Sequence, residues 1–138
     1  MATRSVRAEH APVTLRVPFA ASSVAVARQQ LKKWMADQGT SREHIEDARV
    51  VVSELVANSV RHASPLADGN ILVSWRPDER GLRLSITDGG SPTRPRKLNA
   101  PSSALAGRGM AIVETLALSW WAEQSRTRST VHALLSLS

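Results

Sequence analysis

A chain of 138 residues, 42% hydrophobic and 22% charged, has the composition of one globular domain and can bury a core without covalent staples. It contains no cysteine, which excludes disulfides, thiolate metal sites, iron–sulfur clusters and cysteine nucleophiles. Its charge of +6, from 18 basic and 12 acidic residues, suits an anionic partner or a phosphate-bearing ligand, but the basic residues are spread from Arg4 to Arg128 and tyrosine is absent, so the basic–aromatic surface of single-strand binders is missing.

Residues 1–11 read as a flexible tail with no apolar segment of the secretory kind, and residues 12–138 as one domain. No apolar run approaches the length of a membrane span, so a cytoplasmic protein that makes no membrane contact is expected. Val13–Val17 alternates apolar and polar residues, predicting a strand stopped by Pro18. Ser22 or Ser23 caps a first helix carrying Val24, Ala27, Leu31, Trp34 and Met35 at helical spacing, and Gly39 closes it. A second helix starts at Thr40 or Ser41, buries Ile45, Ala48, Val52, Leu55, Val56 and Ser59, and ends near His62. Residues 70–76 and 82–88 form a hairpin around the turn 77–81.

Residues 89–107 hold three Pro and three Gly with little periodicity, a length of loop that in a compact domain is usually functional. A third helix is predicted from Arg108 to about Leu118, followed by a hairpin of residues 119–123 and 129–135. The order β-α-α-β-β-loop-α-β-β predicts a two-layer α/β sandwich, an antiparallel-rich sheet with helices on one face.

Phosphate-loop, nucleophile-elbow, zinc-protease and protein-kinase H-R-D or D-F-G signatures are absent. The four histidines lack metal-ligand spacing, and His44 and His132 read as structural. Three other features carry chemistry. Glu54 and Asn58 stand four apart on the second helix and share a face, where an amide oxygen can ligate Mg²⁺ and a carboxylate can take a proton. The same pair also reads as a solvated polar stripe. Thr87-Asp88-Gly89-Gly90 runs a strand into glycines, where the Asp can accept from an exocyclic amine and glycine lets a flat ring approach, or where the chain simply turns. Gly107-Arg108-Gly109-Met110 at a helix start is either a phosphate cradle or a hinge for the long loop.

Taken in order, these three motifs resemble the GHKL ATPase superfamily, also called the Bergerat fold. Glu54-Leu-Val-Ala-Asn58-Ser-Val-Arg-His62 and Gly107-Arg-Gly-Met-Ala-Ile-Val113 are most similar to the bacterial anti-sigma-factor serine/threonine kinases. The resemblance covers nearly the whole chain. It implies a mixed, mostly antiparallel sheet with a mobile ATP lid at residues 91–106. It further implies that Glu54 is the general base and that Asn58 holds Mg²⁺ on the phosphates of ATP. Asp88 would bind the adenine amine, with Gly90 admitting the ring and Thr130 supporting it. Gly107, Arg108, Gly109 and Met110 would wrap the phosphates, and Arg61 would add positive charge nearby.

The partners so implied are a sigma factor, which the protein would sequester, and an anti-anti-sigma protein, which it would phosphorylate. No direct DNA binding is expected, and a homodimer is left open. One stretch departs from the pattern. Arg126-Thr-Arg-Ser-Thr130 lacks the glycines usual before the last-strand Thr, so Arg128 would either add charge facing the nucleotide or partly block its pocket. The Pro- and Arg-rich lid, with Pro92, Arg94, Pro95, Arg96 and Pro101, is a second departure. Two other readings stand beside the kinase: a nucleotide-binding switch without phosphotransfer, and a basic nucleic-acid-binding module whose glycine motifs are only turns.

Overall fold

Side-chain alternation along five strands divides the molecule into a helix-covered half and an open half. The computed structural model describes residues 12–90 and 104–137, with the side chains of residues 104–109 excepted. In chain order the elements are β1 (Val13–Pro18), α1 (Ser22–Asp37), α2 (Arg42–His62), β2 (Asn70–Asp78), β3 (Gly81–Asp88), α3 (Ala104–Leu116), β4 (Ser119–Gln124) and β5 (Ser129–Leu135). The strands form one sheet in the order β1-β2-β3-β5-β4, and every pairing is antiparallel. The expected mixed sheet is therefore wholly antiparallel among the described residues. The expected tail at residues 1–11 lies outside them, as does lid segment 91–103.

Val17 on β1, Ile71, Val73 and Trp75 on β2, Leu82, Leu84 and Ile86 on β3, and Ala133 and Leu135 on β5 point to one face. There they join Ala27, Leu31 and Met35 of α1, Ile45 to Val56 of α2 and Val113 of α3 in a single core. Each of the larger side chains so buried stabilises the fold by about 1.5–3 kcal/mol relative to exposure. Trp75 is fully enclosed and meets Trp34 of α1 edge to face, with ring centroids 6.4 Å apart. The opposite face carries mostly polar residues. On it Ser85 Oγ lies 2.7 Å from His132 Nδ1, Trp121 stacks on that imidazole at 5.0 Å, and the Arg83 guanidinium lies 5.9 Å from the Trp121 ring centre. His132 is thus a structural histidine, as its sequence context predicts.

Three departures from the sequence reading have a local cause in the structure. The first helix is not capped by a serine side chain: its N-cap is Ala21, and the buried Ser23 hydroxyl donates instead to the Pro18 carbonyl at 2.5 Å. The Pro18 carbonyl also accepts the Ala20 N–H at 2.8 Å, so it ties both the turn after β1 and the buried Ser23 hydroxyl to the strand end. The second strand runs through Pro77 to Asp78, because Asp78 Oδ1 accepts the N–H groups of Arg80 and Gly81 at 2.8 and 3.1 Å and tightens the turn. The third helix starts at Ala104, one turn before Arg108, since Ala104-Leu105-Ala106 is a strong helix-forming run. Residues 104–106, expected in the loop, are therefore helical. The second helix matches its prediction closely, with Ser41 as N-cap accepting the His44 N–H at 3.4 Å.

Candidate functional site

Helix α2 organises the site because its core face and its polar face meet at one residue. The helix buries Ile45, Ala48, Val51, Val52, Leu55, Val56 and Ser59. Glu54 and Asn58 flank this stripe, each half-buried and one turn apart. Ser59 is the link to the sheet. Its hydroxyl donates to Asp88 Oδ2 at 2.5 Å across the interface between α2 and the end of β3. Asp88 is only 5% exposed, a burial at which a carboxylate needs hydrogen-bond partners. Its second oxygen, Oδ1, accepts the Gly90 N–H at 2.8 Å. Burial pushes the Asp88 carboxyl above the ordinary carboxylate range, against the opposing pull of those two hydrogen bonds.

The two glycines after Asp88 have different reasons to be glycine. A Cβ on Gly89 would stand 2.2 Å from the Pro65 carbonyl oxygen, so only glycine lets the strand end reach the segment leaving α2. Backbone bonds close that approach: Gly89 N–H donates to Ser64 O at 2.7 Å, and Ser64 N–H donates to Gly90 O at 2.9 Å. Gly90 has a φ of +88°, with nothing among the described residues within 4 Å of its Cβ position. Among the described residues nothing crowds this position, two residues beyond Asp88.

Helix α3 packs alongside α2 and completes the third side. Gly107, Arg108 and Gly109 lie in its first two turns rather than ahead of it, and Met110 packs partly buried against the core. The side chain of Arg108 lies outside the described residues. Only the first four N–H groups of a helix lack an internal acceptor, so the free donors here belong to the turn that ends at Gly107. The structure thus gathers Asn58, Asp88, Gly90 and the backbone of α3 around the second half of α2. Arg61 is exposed in the last turn of that helix.

Thr130 is not part of this gathering. Its hydroxyl lies 2.9 Å from that of Thr87, a pair on the helix-free face of the sheet. Strand parity is the reason: Val131, Ala133 and Leu135 face the core, so Thr130 must face away. Its neighbour Ser129 points to the site side instead, 6% exposed and directly opposite Asp88 in the β3–β5 register. Neither the Ser59–Asp88 hydrogen bond nor the placement of Ser129 opposite Asp88 was read from the sequence. Ser59 was legible as a core position at helical spacing, and its hydroxyl in an otherwise apolar stripe was the available signal. Replacing Ser129 by Ala is expected to weaken ATP binding by about three- to tenfold, the worth of one neutral hydrogen bond. Thr130→Val should leave affinity within about twofold and cost up to ~1 kcal/mol of stability through the lost cross-strand pair. Calorimetric titration of both variants checks this, and the reverse ranking would favour Thr130 over Ser129 as a nucleotide contact.

The sequence signature of the histidine kinase-like ATPase domain matches residues 17–133, from the end of β1 into β5. The chain belongs to the histidine kinase-like ATPase family. Within this family it is similar to the serine-protein kinase RsbW of Listeria innocua, 31% identical over 119 residues that make up 78% of this chain and 76% of the relative. A serine-protein kinase RsbW of Staphylococcus aureus is 39% identical over 80 residues, 56% of this chain and 50% of the relative. Among solved structures, the RsbU and RsbW domains of Rv1364c from Mycobacterium tuberculosis superpose with a TM-score of 0.69 at 23% identity, over 91% of this chain and 33% of that one. SiaB in the SiaB–SiaC complex of Pseudomonas aeruginosa is a further match, with a TM-score of 0.65 at 13% identity over 96% and 94% of the two chains. The motif resemblance to the anti-sigma kinases of the GHKL superfamily is borne out, and so is the ATPase-domain fold.

Among the described residues no cluster of three or more His, Cys, Asp or Glu side chains could hold a metal ion. Mg²⁺ characteristically keeps several waters and takes one or two protein oxygens plus phosphates, a demand that the Asn58 amide can meet. No helix among the described residues is long and apolar enough to cross a membrane.

Proposed function

We propose that this chain is an ATP-dependent protein serine/threonine kinase that doubles as an anti-sigma factor, holding a sigma factor and phosphorylating an anti-anti-sigma protein. The observation that carries the reading is the Ser59–Asp88 hydrogen bond. It ties a buried base-binding carboxylate to the residue next to Asn58, so adenine and phosphate ends of one nucleotide would lie along one helix. The similarity to relatives named serine-protein kinase supports phosphotransfer rather than binding alone.

In this mechanism the partner's hydroxyl oxygen attacks the γ-phosphorus of ATP and its proton passes to Glu54. The bond from the γ-phosphorus to the bridging oxygen breaks, and ADP leaves. Catalysis of this kind rests on positioning and on neutralising phosphate charge. Asn58 would hold Mg²⁺ on the phosphates, where the ion supplies that charge. Arg61, Arg108 and the N–H groups of α3 add to it from the protein side, as helix N-termini do for anions. Asp88 and Ser129 orient the base.

Incubating the protein with γ-labelled ATP and Mg²⁺ alongside proteins that co-purify with it tests the reading, and label on a partner Ser or Thr is the expected result. ATP binding without transfer to any of them would favour the nucleotide-dependent switch instead. Asn58→Ala should remove the Mg²⁺-dependent part of ATP affinity and leave metal-free binding in place. Unchanged Mg·ATP affinity by calorimetry would withdraw Asn58 as the ligand.

A further inference from the structure

Asp88 is an acceptor whose orientation the protein controls from inside. An ionised carboxylate offers about four lone-pair directions. Here the Ser59 hydroxyl takes one on Oδ2, and the Gly90 N–H takes one on Oδ1. The two donors differ in kind. The Gly90 amide can only donate, whereas the Ser59 hydroxyl can reverse and accept. Among the described residues no ion pair involves Asp88: Glu54, Arg61 and His62 on α2 and Arg128 beside Ser129 are not among its partners. The hydroxyl is therefore the protein's one adjustable contact with this carboxyl group among the described residues.

We propose that Ser59 is a specificity-determining residue, keeping the base-facing side of Asp88 an acceptor and so selecting an amine-bearing purine over a carbonyl-bearing one. While Asp88 is ionised, the hydroxyl donates to Oδ2 and stabilises the anion. When Asp88 takes up a proton, that proton can sit on Oδ2 and point back at Ser59 Oγ, leaving the outward lone pairs for the ligand. Without the hydroxyl, the proton has no inward acceptor and is offered to the base. A carbonyl oxygen, such as that on guanine, would then be tolerated. Burial favours the protonated form, so the effect of the substitution grows as pH falls. The inference rests on the reading of Asp88 as the contact for the adenine amine.

The test is calorimetric binding of ATP and GTP, each with Mg²⁺, to the full chain at pH 6 and pH 8. Wild type, Ser59→Ala, the similar-sized weak donor Ser59→Cys, and Asp88→Asn are compared, with thermal melts as the fold control. Ser59→Ala is expected to lose about tenfold in ATP affinity at pH 8, the worth of a hydrogen bond to a charged group, and more at pH 6. GTP affinity should hold or rise, so the ATP-to-GTP ratio narrows, most at pH 6. Ser59→Cys should shift in the same direction by less, which keeps the test alive if the alanine variant does not fold. An unchanged ratio at both pH values, in variants that melt normally, would reduce Ser59 to packing while Asp88→Asn still abolishes ATP binding. If Asp88→Asn also leaves ATP affinity intact, the base-site reading itself falls and takes this inference with it.

Discussion

Glu54→Gln should bind Mg·ATP within about threefold of wild type yet transfer phosphate 10² to 10⁴ times more slowly, the usual worth of a positioned general base. The separation follows from where the residue stands. Glu54 is one turn before Asn58 on α2, while Asp88, the proposed base contact, is reached through Ser59 on the core side of the helix. The amide of the variant can no longer take a proton, but neither the Asn58 oxygen nor the Asp88 carboxylate loses a neighbour. Among the described residues no hydrogen bond or ion pair occupies the Glu54 carboxylate, so its replacement leaves no buried partner stranded. Single-turnover transfer to the co-purified partner measures the effect, which corresponds to roughly 2.7–5.5 kcal/mol of barrier at about 1.4 kcal/mol per tenfold. Wild-type transfer by the variant would make Glu54 a surface carboxylate and require another base.

The second large effect is expected at Asp88, where function and stability should move in opposite directions. Asp88→Asn can keep the inner contacts, with its oxygen accepting from Gly90 and its NH₂ donating to Ser59 Oγ. ATP affinity should nonetheless fall by about 10² or more, because a charged acceptor is lost and an amide donor can be presented to the amine. Stability should rise. Burial holds the native carboxyl above the ordinary range, so between the unfolded and native values the native state binds the proton and the unfolded chain does not. The associated stabilisation is fully present below the unfolded value and is lost as pH rises through the native one. At pH 7 the ionised group is a net cost, which the neutral amide removes. Scanning calorimetry of the nucleotide-free protein should show a higher midpoint for the variant at pH 7 and a smaller gap at pH 4. A lower midpoint at pH 7 would mean that the Ser59 and Gly90 bonds outweigh desolvation.

Much of the fold was legible because its elements announce themselves locally. The stripe from Ile45 to Ser59, the Ser41 cap and the alternation in β2 and β3 depend on neighbours a few residues away, and the structure keeps them where the sequence put them. Glu54 and Asn58 share a face for the same local reason. Errors arose where a tertiary contact decided, and once where a local helix-forming run was passed over. Ser23 turned from helix cap to strand tie because of the Pro18 carbonyl, and α3 gained a turn because Ala-Leu-Ala extends a helix that the glycine pair does not start. The choice between Ser129 and Thr130 needed the register of β5 against β3, which pairs residues more than forty apart and which neither strand's own sequence reveals. The roles assigned to the side chains of Arg108 and residues 91–103 fall outside the described residues.

The insertion of β5 between β3 and β4 sets the order in which this protein becomes competent during synthesis. The α1–α2 pair and the β2–β3 hairpin close short loops and can form as soon as they are made. β3 meanwhile keeps one edge unpaired, with Leu82, Leu84 and Ile86 along it, until β5 arrives some forty residues later. Such an edge is the part of an incomplete chain most prone to pair wrongly, and a prompt docking of β5 is what protects it. The same event brings Ser129 across from Asp88. The proposed base site is thereby coupled to the closure of the sheet: a nascent chain can hold most of its core while Asp88 still lacks its cross-strand neighbour.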